Sequence, residues 1–364
     1  EECRTLLNEF LSTAEVPEAL KSLIVHQSGG NPYFIEEFVR MLLEQDYLRL
    51  VRGRLEVNQE LPMSKLAIPV SLESLIRARV DSLHASARQL LQVAAVIGQR
   101  FTRGLLMDVA AQENIDVHLE QLRTRGMLSL DAATGFWEFS HPMIEAIVYN
   151  TVLRAQRRIL HSRTAAALEA QWRGNESEHA EDLAYHYRKA EDYNKALYYL
   201  ILAGERAAAR HANETAVNYF EQASDLLSAV PTASDELRYR IAYGLGEVYQ
   251  FVGKFEASIA VLNASEDLMR QGQLTPAQRA SLHRCLGDTL RKTSDYEQAI
   301  QALNQALEII GSAPQQEAAE EAARVYVSLG WSYFMQASWD EAKNAVLKAI
   351  DYALQAKATS ALGM

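Results

Sequence analysis

At 364 residues the chain is too long for one ordinary core, and its 48% hydrophobic and 23% charged residues exclude a largely disordered protein. Its 36 basic and 47 acidic residues leave a net charge of −11, which disfavours nucleic acid or anionic lipid as the main partner. No apolar run reaches the roughly 18 to 20 residues of a membrane span, and Cys3 and Cys285 are too few for a disulfide framework and lack CxxC spacing, so both read as plain buried thiols.

The charge is uneven. Residues 1–69 carry 7 basic and 11 acidic side chains, residues 70–170 carry 11 and 10, and residues 171–364 carry 18 and 26. The chain opens at Glu1 with neither an initiator Met nor a signal segment and stops at Met364 within a helical pattern. A cytoplasmic fragment of a longer protein is therefore expected.

Within residues 1–65 the pattern predicts helices at about 2–12, 17–27 and 32–46, the last with Asn31 as N-cap and Pro32 at its first position. Leu48 and Leu50, a turn at Gly53, then Leu55 and Val57 read as a small hairpin. Across 66–170, Leu72 to Leu83 and Leu90 to Ile97 form two amphipathic helices, followed by a short helix from Thr102 and another through Leu119, Leu122 and Met127. Leu128 and Leu130, a turn at Asp131 to Gly135, and Phe136 to Phe139 complete a β-hairpin. Three helices with such a hairpin make a winged-helix arrangement.

Residues 171–364 contain a repeat. Leu245, Gly246, Tyr249, Gly253, Phe255, Ser258 and Leu262 recur 41 residues later from Leu286, and again 43 residues after that from Leu329. A glycine costs about 1 kcal/mol inside a helix, so Gly246, Gly287 and Gly330 at one register predict close approach of two helices. Upstream, Ala184, Tyr187, Tyr193, Ala196, Leu200 and Ala203 give a further hairpin, which Ala216, Phe220 and Ala223 echo 20 residues on, as a shared or degenerate repeat would. The repeated words resemble tetratricopeptide repeats, with a longer period than usual, implying extended helices or connections. Four to five stacked hairpins imply an α-solenoid whose concave face takes a protein or small ligand.

The first 170 residues carry a second resemblance. Ser28 to Phe38 (SGGNPYFIEEF), Arg77 to Leu83 (RARVDSL), Leu91 to Gly98 (LQVAAVIG), Phe139-Ser140-His141 and Ala146 to Tyr149 (AIVY) follow one another in order. That order resembles the region after the nucleotide-binding core in STAND-type, AAA-like signalling ATPases found with bacterial cyclases, kinases and LuxR-type regulators. The resemblance implies a mostly α chain with a helical lid (1–65), a winged-helix domain with a small wing (66–170) and a tetratricopeptide superhelix (171–364). It also implies that ADP or ATP with Mg²⁺ binds the intact parent. Pro32 then matches the proline lying against adenine, and His141 the histidine reaching phosphate. Their plainer roles are a helix start and a helix cap. The chain has no G-x-x-x-x-G-K-[ST] motif, so it reads as regulatory and non-catalytic, with an upstream nucleotide-binding domain as one partner. A plain interaction scaffold, or part of a LuxR-type regulator, are the alternatives.

Other constellations read as structural. His179, Asp182 and His186 fall at helical spacing but lack a clear further ligand, so no metal site is assigned. Arg154, Arg157, Arg158, His161 and Arg163 predict ion pairs rather than DNA contacts. Tyr193, Tyr249, Tyr296, Tyr333 and Trp339 are expected mostly in the core, and Glu36-Glu37 and Glu320-Glu321 on solvated helix faces.

Overall fold

A computed structural model describes residues 18–28, 31–51, 54–58, 60–61, 69–112, 114–271, 273–311 and 315–362. The helix expected at 2–12, Cys3, Gly30 and the Gly53 turn lie outside the described residues. The chain forms two compact units, residues 1–168 and 169–364.

In the first unit, α1 (Glu18–Ser28) and α2 (Pro32–Glu44) precede an antiparallel hairpin of β1 (Leu48–Val51) and β2 (Arg54–Val57), which pairs Leu48 with Val57. Asn31 caps α2 through a 3.0 Å bond from the Tyr33 N–H, and Pro32 occupies a position where no amide partner is needed. Phe34, Ile35, Phe38 and Leu42 make its buried stripe. α3 (Leu72–Asp81) starts at a Ser71–Ser74 capping box, and α4 (Ala85–Ile97) buries Leu90, Leu91 and Ala94 completely.

Then come β3 (Arg100–Thr102), α5 (Arg103–Ala110), α6 (Ile115–Thr124), β4 (Leu128–Leu130) and β5 (Phe136–Phe139). The sheet order is β3-β5-β4, all antiparallel, with Phe101 opposite Trp137 and Leu128 opposite Phe139. From α4 to β5 the chain thus runs helix, strand, helix, helix, strand, strand. The edge strand β3 is an addition to the expected hairpin: three residues are too few to show alternation, and Thr102 doubles as the N-cap of α5. The wing turn is held by Asp131, whose carboxylate accepts from the Ala133 N–H (3.0 Å) and the Thr134 hydroxyl (2.6 Å). α7 (Pro142–Thr151) and α8 (Arg154–Gln171) follow.

The second unit is a row of helices: α9 (Ala180–Lys189), α10 (Tyr193–Ala209), α11 (Asn213–Leu226), α12 (Asp235–Phe251), α13 (Phe255–Asn263), α14 (Glu266–Gln271), α15 (Pro276–Lys292), α16 (Tyr296–Gly311), α17 (Gln315–Met335) and α18 (Trp339–Leu362). The repeated glycines meet the residue 16 positions on in each hairpin. A Cβ on Gly246 would lie 3.1 Å from Leu262, one on Gly287 2.7 Å from Leu303, and one on Gly330 3.2 Å from Val346. Gly204 obeys the same rule, its absent Cβ 3.0 Å from the Phe220 ring.

This explains the upstream echo. Ala184 and Leu200 share the 16-residue spacing across α9 and α10, while Gly204 and Phe220 share it across α10 and α11. α10 thus serves as second helix of one hairpin and first helix of the next. The long period has two sources: α17 runs to 21 residues, and after α13 the chain breaks at Ala264-Ser265 and adds α14. Between hairpins, Ala280, Leu303, Ala306, Ala322, Val325 and Leu329 form one continuous core. Each buried leucine there contributes about 1.5–3 kcal/mol.

Candidate functional site

Pro32 and His141 are 109 positions apart in sequence, yet they open two helices that meet. His141 caps α7: its Nδ1 accepts the Met143 N–H at 3.1 Å, and Pro142 follows at the first helical position. Tyr33, next to Pro32, lies flat on the His141 imidazole, with ring centroids 3.9 Å apart and planes 14° from parallel. An Nδ1 that accepts carries no proton, so in the neutral ring the hydrogen is on Nε2 as a donor. Pro32 is exposed and His141 half-buried. The place thus combines two helix N-termini, an exposed proline face, an imidazole donor and an aromatic ring. The Tyr33 hydroxyl is buried without a hydrogen-bond partner. Burial first, and the neighbouring Glu37 second, push its pKa well above the usual phenol value.

Directly below this place is a buried ion cluster. Glu37, one turn after Tyr33, is paired with Arg79 of α3, and both side chains are 1% exposed. Arg79 also bonds Glu44 (2.7 Å) and the Arg125 carbonyl (2.5 Å). Burial raises the Glu37 carboxyl, against the pull of Arg79. Gly126 completes the contact: with φ +65° it passes under Arg40, whose guanidinium occupies the space of a Cβ. The expectation that Glu36-Glu37 is a solvated pair is therefore half wrong. Glu36 is partly exposed, but Glu37 faces inward because α2 turns it toward the only guanidinium on the buried face of α3.

Glu320-Glu321 divides the same way. Glu321 is 7% exposed and takes Arg284 of α15 at 2.7 Å. Arg284 in turn reaches Tyr243 of α12 (3.1 Å), and Arg240 of α12 reaches Glu205 of α10 (2.6 Å). A polar ladder thus links successive first helices.

Two arginines of the basic stretch of α8 depart from expectation. Arg157 lies 4.9 Å over the Tyr149 ring and Arg163 donates to the Val109 carbonyl (3.4 Å), so these two meet a ring and a carbonyl rather than carboxylates. His161 is buried and hydrogen-bonded to Tyr149 at 3.0 Å. His179 sits in a 3₁₀ turn ahead of α9 and stacks on Trp172 at 3.9 Å, so it does not share a regular helical face with Asp182 and His186. Among the described residues no group of three metal-ligating side chains converges. Cys285 is buried, and that burial pushes its thiol up. Of the five repeat aromatics, Tyr249 is core, Tyr193, Tyr296 and Tyr333 are half-buried, and Trp339 is 60% exposed. Among the described residues no helix is long and apolar enough to cross a membrane.

Comparison with known proteins agrees with the repeat geometry. Residues 278–355 match the tetratricopeptide repeat family. An uncharacterized protein of Rhizobium meliloti (strain 1021) is 31% identical over 213 residues, which cover 55% of this chain and 19% of that protein. The chain therefore spans about a fifth of the length of the curated relative it matches. Among solved structures, MamA protein aligns at 17% identity and TM-score 0.38, covering 53% of this chain and 91% of that one. The Signal Transduction ATPase with Numerous Domains protein with a tetratricopeptide repeat sensor from Pyrococcus horikoshii aligns at 12% identity and TM-score 0.39, covering 99% of this chain and 60% of that one. The fold is mostly α, and residues 278–355 of its second half carry tetratricopeptide-type hairpins.

Proposed function

We propose that the chain is the relay and sensor portion of a signalling ATPase: the repeats take a protein partner, and the first unit transmits nucleotide state. The observation that supports this reading is the Tyr33–His141 stack. His141, singled out by one sequence word, stacks on Tyr33, the neighbour of Pro32 singled out by another, and both Pro32 and His141 stand at helix starts that favour an anion. Pro32 would lie against the base and His141 Nε2–H would reach a phosphate oxygen. The main grip on the phosphates belongs to an upstream domain, since this sequence has no glycine-rich phosphate loop. The partner side of the switch is the row of first helices, whose ion-pair ladder fixes the spacing of side chains offered to a bound segment. Coupling then requires that the partner bind one nucleotide state better than the other.

Calorimetry on the protein extended upstream through its nucleotide-binding domain tests the reading. Tight ADP binding that weakens by roughly tenfold or more in Pro32→Ala and His141→Ala is expected, the loss of about one charge-assisted hydrogen bond. ADP binding unchanged by both substitutions would leave the chain a tetratricopeptide scaffold.

A further inference from the structure

The last hairpin keeps its apolar residues in solvent. Val327, Trp331 and Phe334 of α17 and Trp339, Val346 and Leu347 of α18 are 48% to 60% exposed. They line one open groove of about 600 Å³, with Gly330 and Ala342 at its floor. A contiguous surface with two tryptophans and four other large apolar residues marks a docking place rather than ordinary surface.

The repeat itself identifies the occupant. By the period, Val327, Trp331 and Phe334 stand where α12 has Tyr243, Glu247 and Gln250, and where α15 has Arg284, Asp288 and Arg291. At the first junction the next first helix, α15, covers those positions. Arg284 donates to the Tyr243 hydroxyl at 3.1 Å, Gln250 donates to the Cys285 carbonyl at 3.1 Å, and Cys285 Sγ sits 2.9 Å from where a Gly246 Cβ would be. At the second junction α17 does the same, with Glu321 on Arg284 and Ala322 and Val325 in one core with Leu303. At the third junction the equivalent residues are apolar and open.

We propose that this groove receives the first helix of a further tetratricopeptide-type hairpin, carried by the same polypeptide beyond Met364. Both earlier junctions are closed by a helix in this register, and the groove continues that established interface. Its chemistry specifies the incoming helix. The polar partners used at Tyr243 and Arg284 have no counterpart on Val327, so the helix must present an aliphatic stripe. It must also bring a small residue over Gly330, as Cys285 does over Gly246.

Hydroxyl-radical footprinting, read by mass spectrometry at Trp331, Phe334 and Trp339, compares the 364-residue chain with the protein carrying its natural continuation. Protection of at least about tenfold in the longer protein is expected, with both forms monomeric by sedimentation. Trp331→Glu with Val346→Glu should restore reactivity in the longer protein, and Trp331→Gln serves where the double variant loses its helical circular dichroism. Three results would overturn the proposal: equal reactivity in both proteins, a continuation that adds no helix, or protection in the 364-residue chain accompanied by a doubled mass, which would make a second copy the occupant.

Discussion

At single residues, the turns between paired helices are the most informative positions. Glu191, His211, Gly253, Ser294 and Ala337 all adopt positive φ, from +59° to +76°, and each stands seven residues after Ala184, Gly204, Gly246, Gly287 or Gly330. Only one of the five is glycine, so the other four bear a left-handed penalty of about 1 kcal/mol each. Ala337→Gly is expected to raise stability by about 0.5–1 kcal/mol and Gly253→Ala to lower it by about the same, read from denaturant midpoints at constant slope. Glu169 supplies a pH-dependent contribution. Burial would raise its carboxyl, but Lys195 (2.7 Å), Tyr187 and Tyr199 (2.6 Å) outweigh it and hold the pKa below the ordinary 4.5. The same contact and burial push the Tyr187 hydroxyl up to about 12, so it stays a donor. A depressed carboxylate stabilises fully above its unfolded pKa and ceases to do so as pH falls through the folded one. Unfolding midpoints measured from pH 6 down to pH 2 should therefore drop more steeply in the wild type than in Glu169→Gln, and parallel curves would refute the role. Little of this was readable beforehand: the caps Asn31 and His141 follow local rules, as do the i,i+3 pairs Glu37–Arg40 and Glu321–Arg324, whereas the hydrogen-bonded partners of Glu37, Glu169 and Glu321 lie 18 to 42 residues away, where no local pattern points.

At the scale of elements, the buried cluster around Arg79 decides how α2 is held on α3. Removing one partner leaves the others as unpaired buried charges, so Arg79→Met should destabilise the first unit by about 3–5 kcal/mol. Adding Glu37→Gln and Glu44→Gln to that variant should recover part of the loss, because neutral groups replace the stranded acids. A triple variant no more stable than Arg79→Met would show that the packing, not the charge, carries the effect. Elements with long periodicity were legible: the helices of the winged-helix segment, the wing, and the three hairpins from Leu245 onward lie where the apolar spacing puts them. β3 was not, being three residues long, and neither was the double duty of α10. Two overlapping 16-residue spacings on one helix look like a degenerate repeat until Gly204 is seen against Phe220. The Tyr33–His141 stack was not legible either, since nothing in either local sequence refers to the other.

At the scale of a whole unit, residues 169–364 should behave as a one-dimensional array, because each hairpin packs mainly on its neighbours. Leu303 is the sharpest place to test this. It is fully buried, fills the space left by Gly287, and joins the core that runs from Ala280 of α15 to Ala345 of α18. Leu303→Ala removes three heavy atoms beside a glycine that cannot fill the void, so the local cost should be about 2–5 kcal/mol. In a globular core that cost would be felt by every amide that exchanges through global opening. In an array it is felt only as far as neighbouring interfaces transmit it. Hydrogen exchange with mass spectrometry should then accelerate strongly in α15–α18, weakly in α12 and α13, and not measurably in α9 and α10. A uniform acceleration from α9 to α18 would mean the unit opens as one cooperative body, and the nearest-neighbour description would fail. The graded outcome bears on function as well, for it would let a partner on one end of the row tighten the hairpins beside it while leaving the far end unchanged.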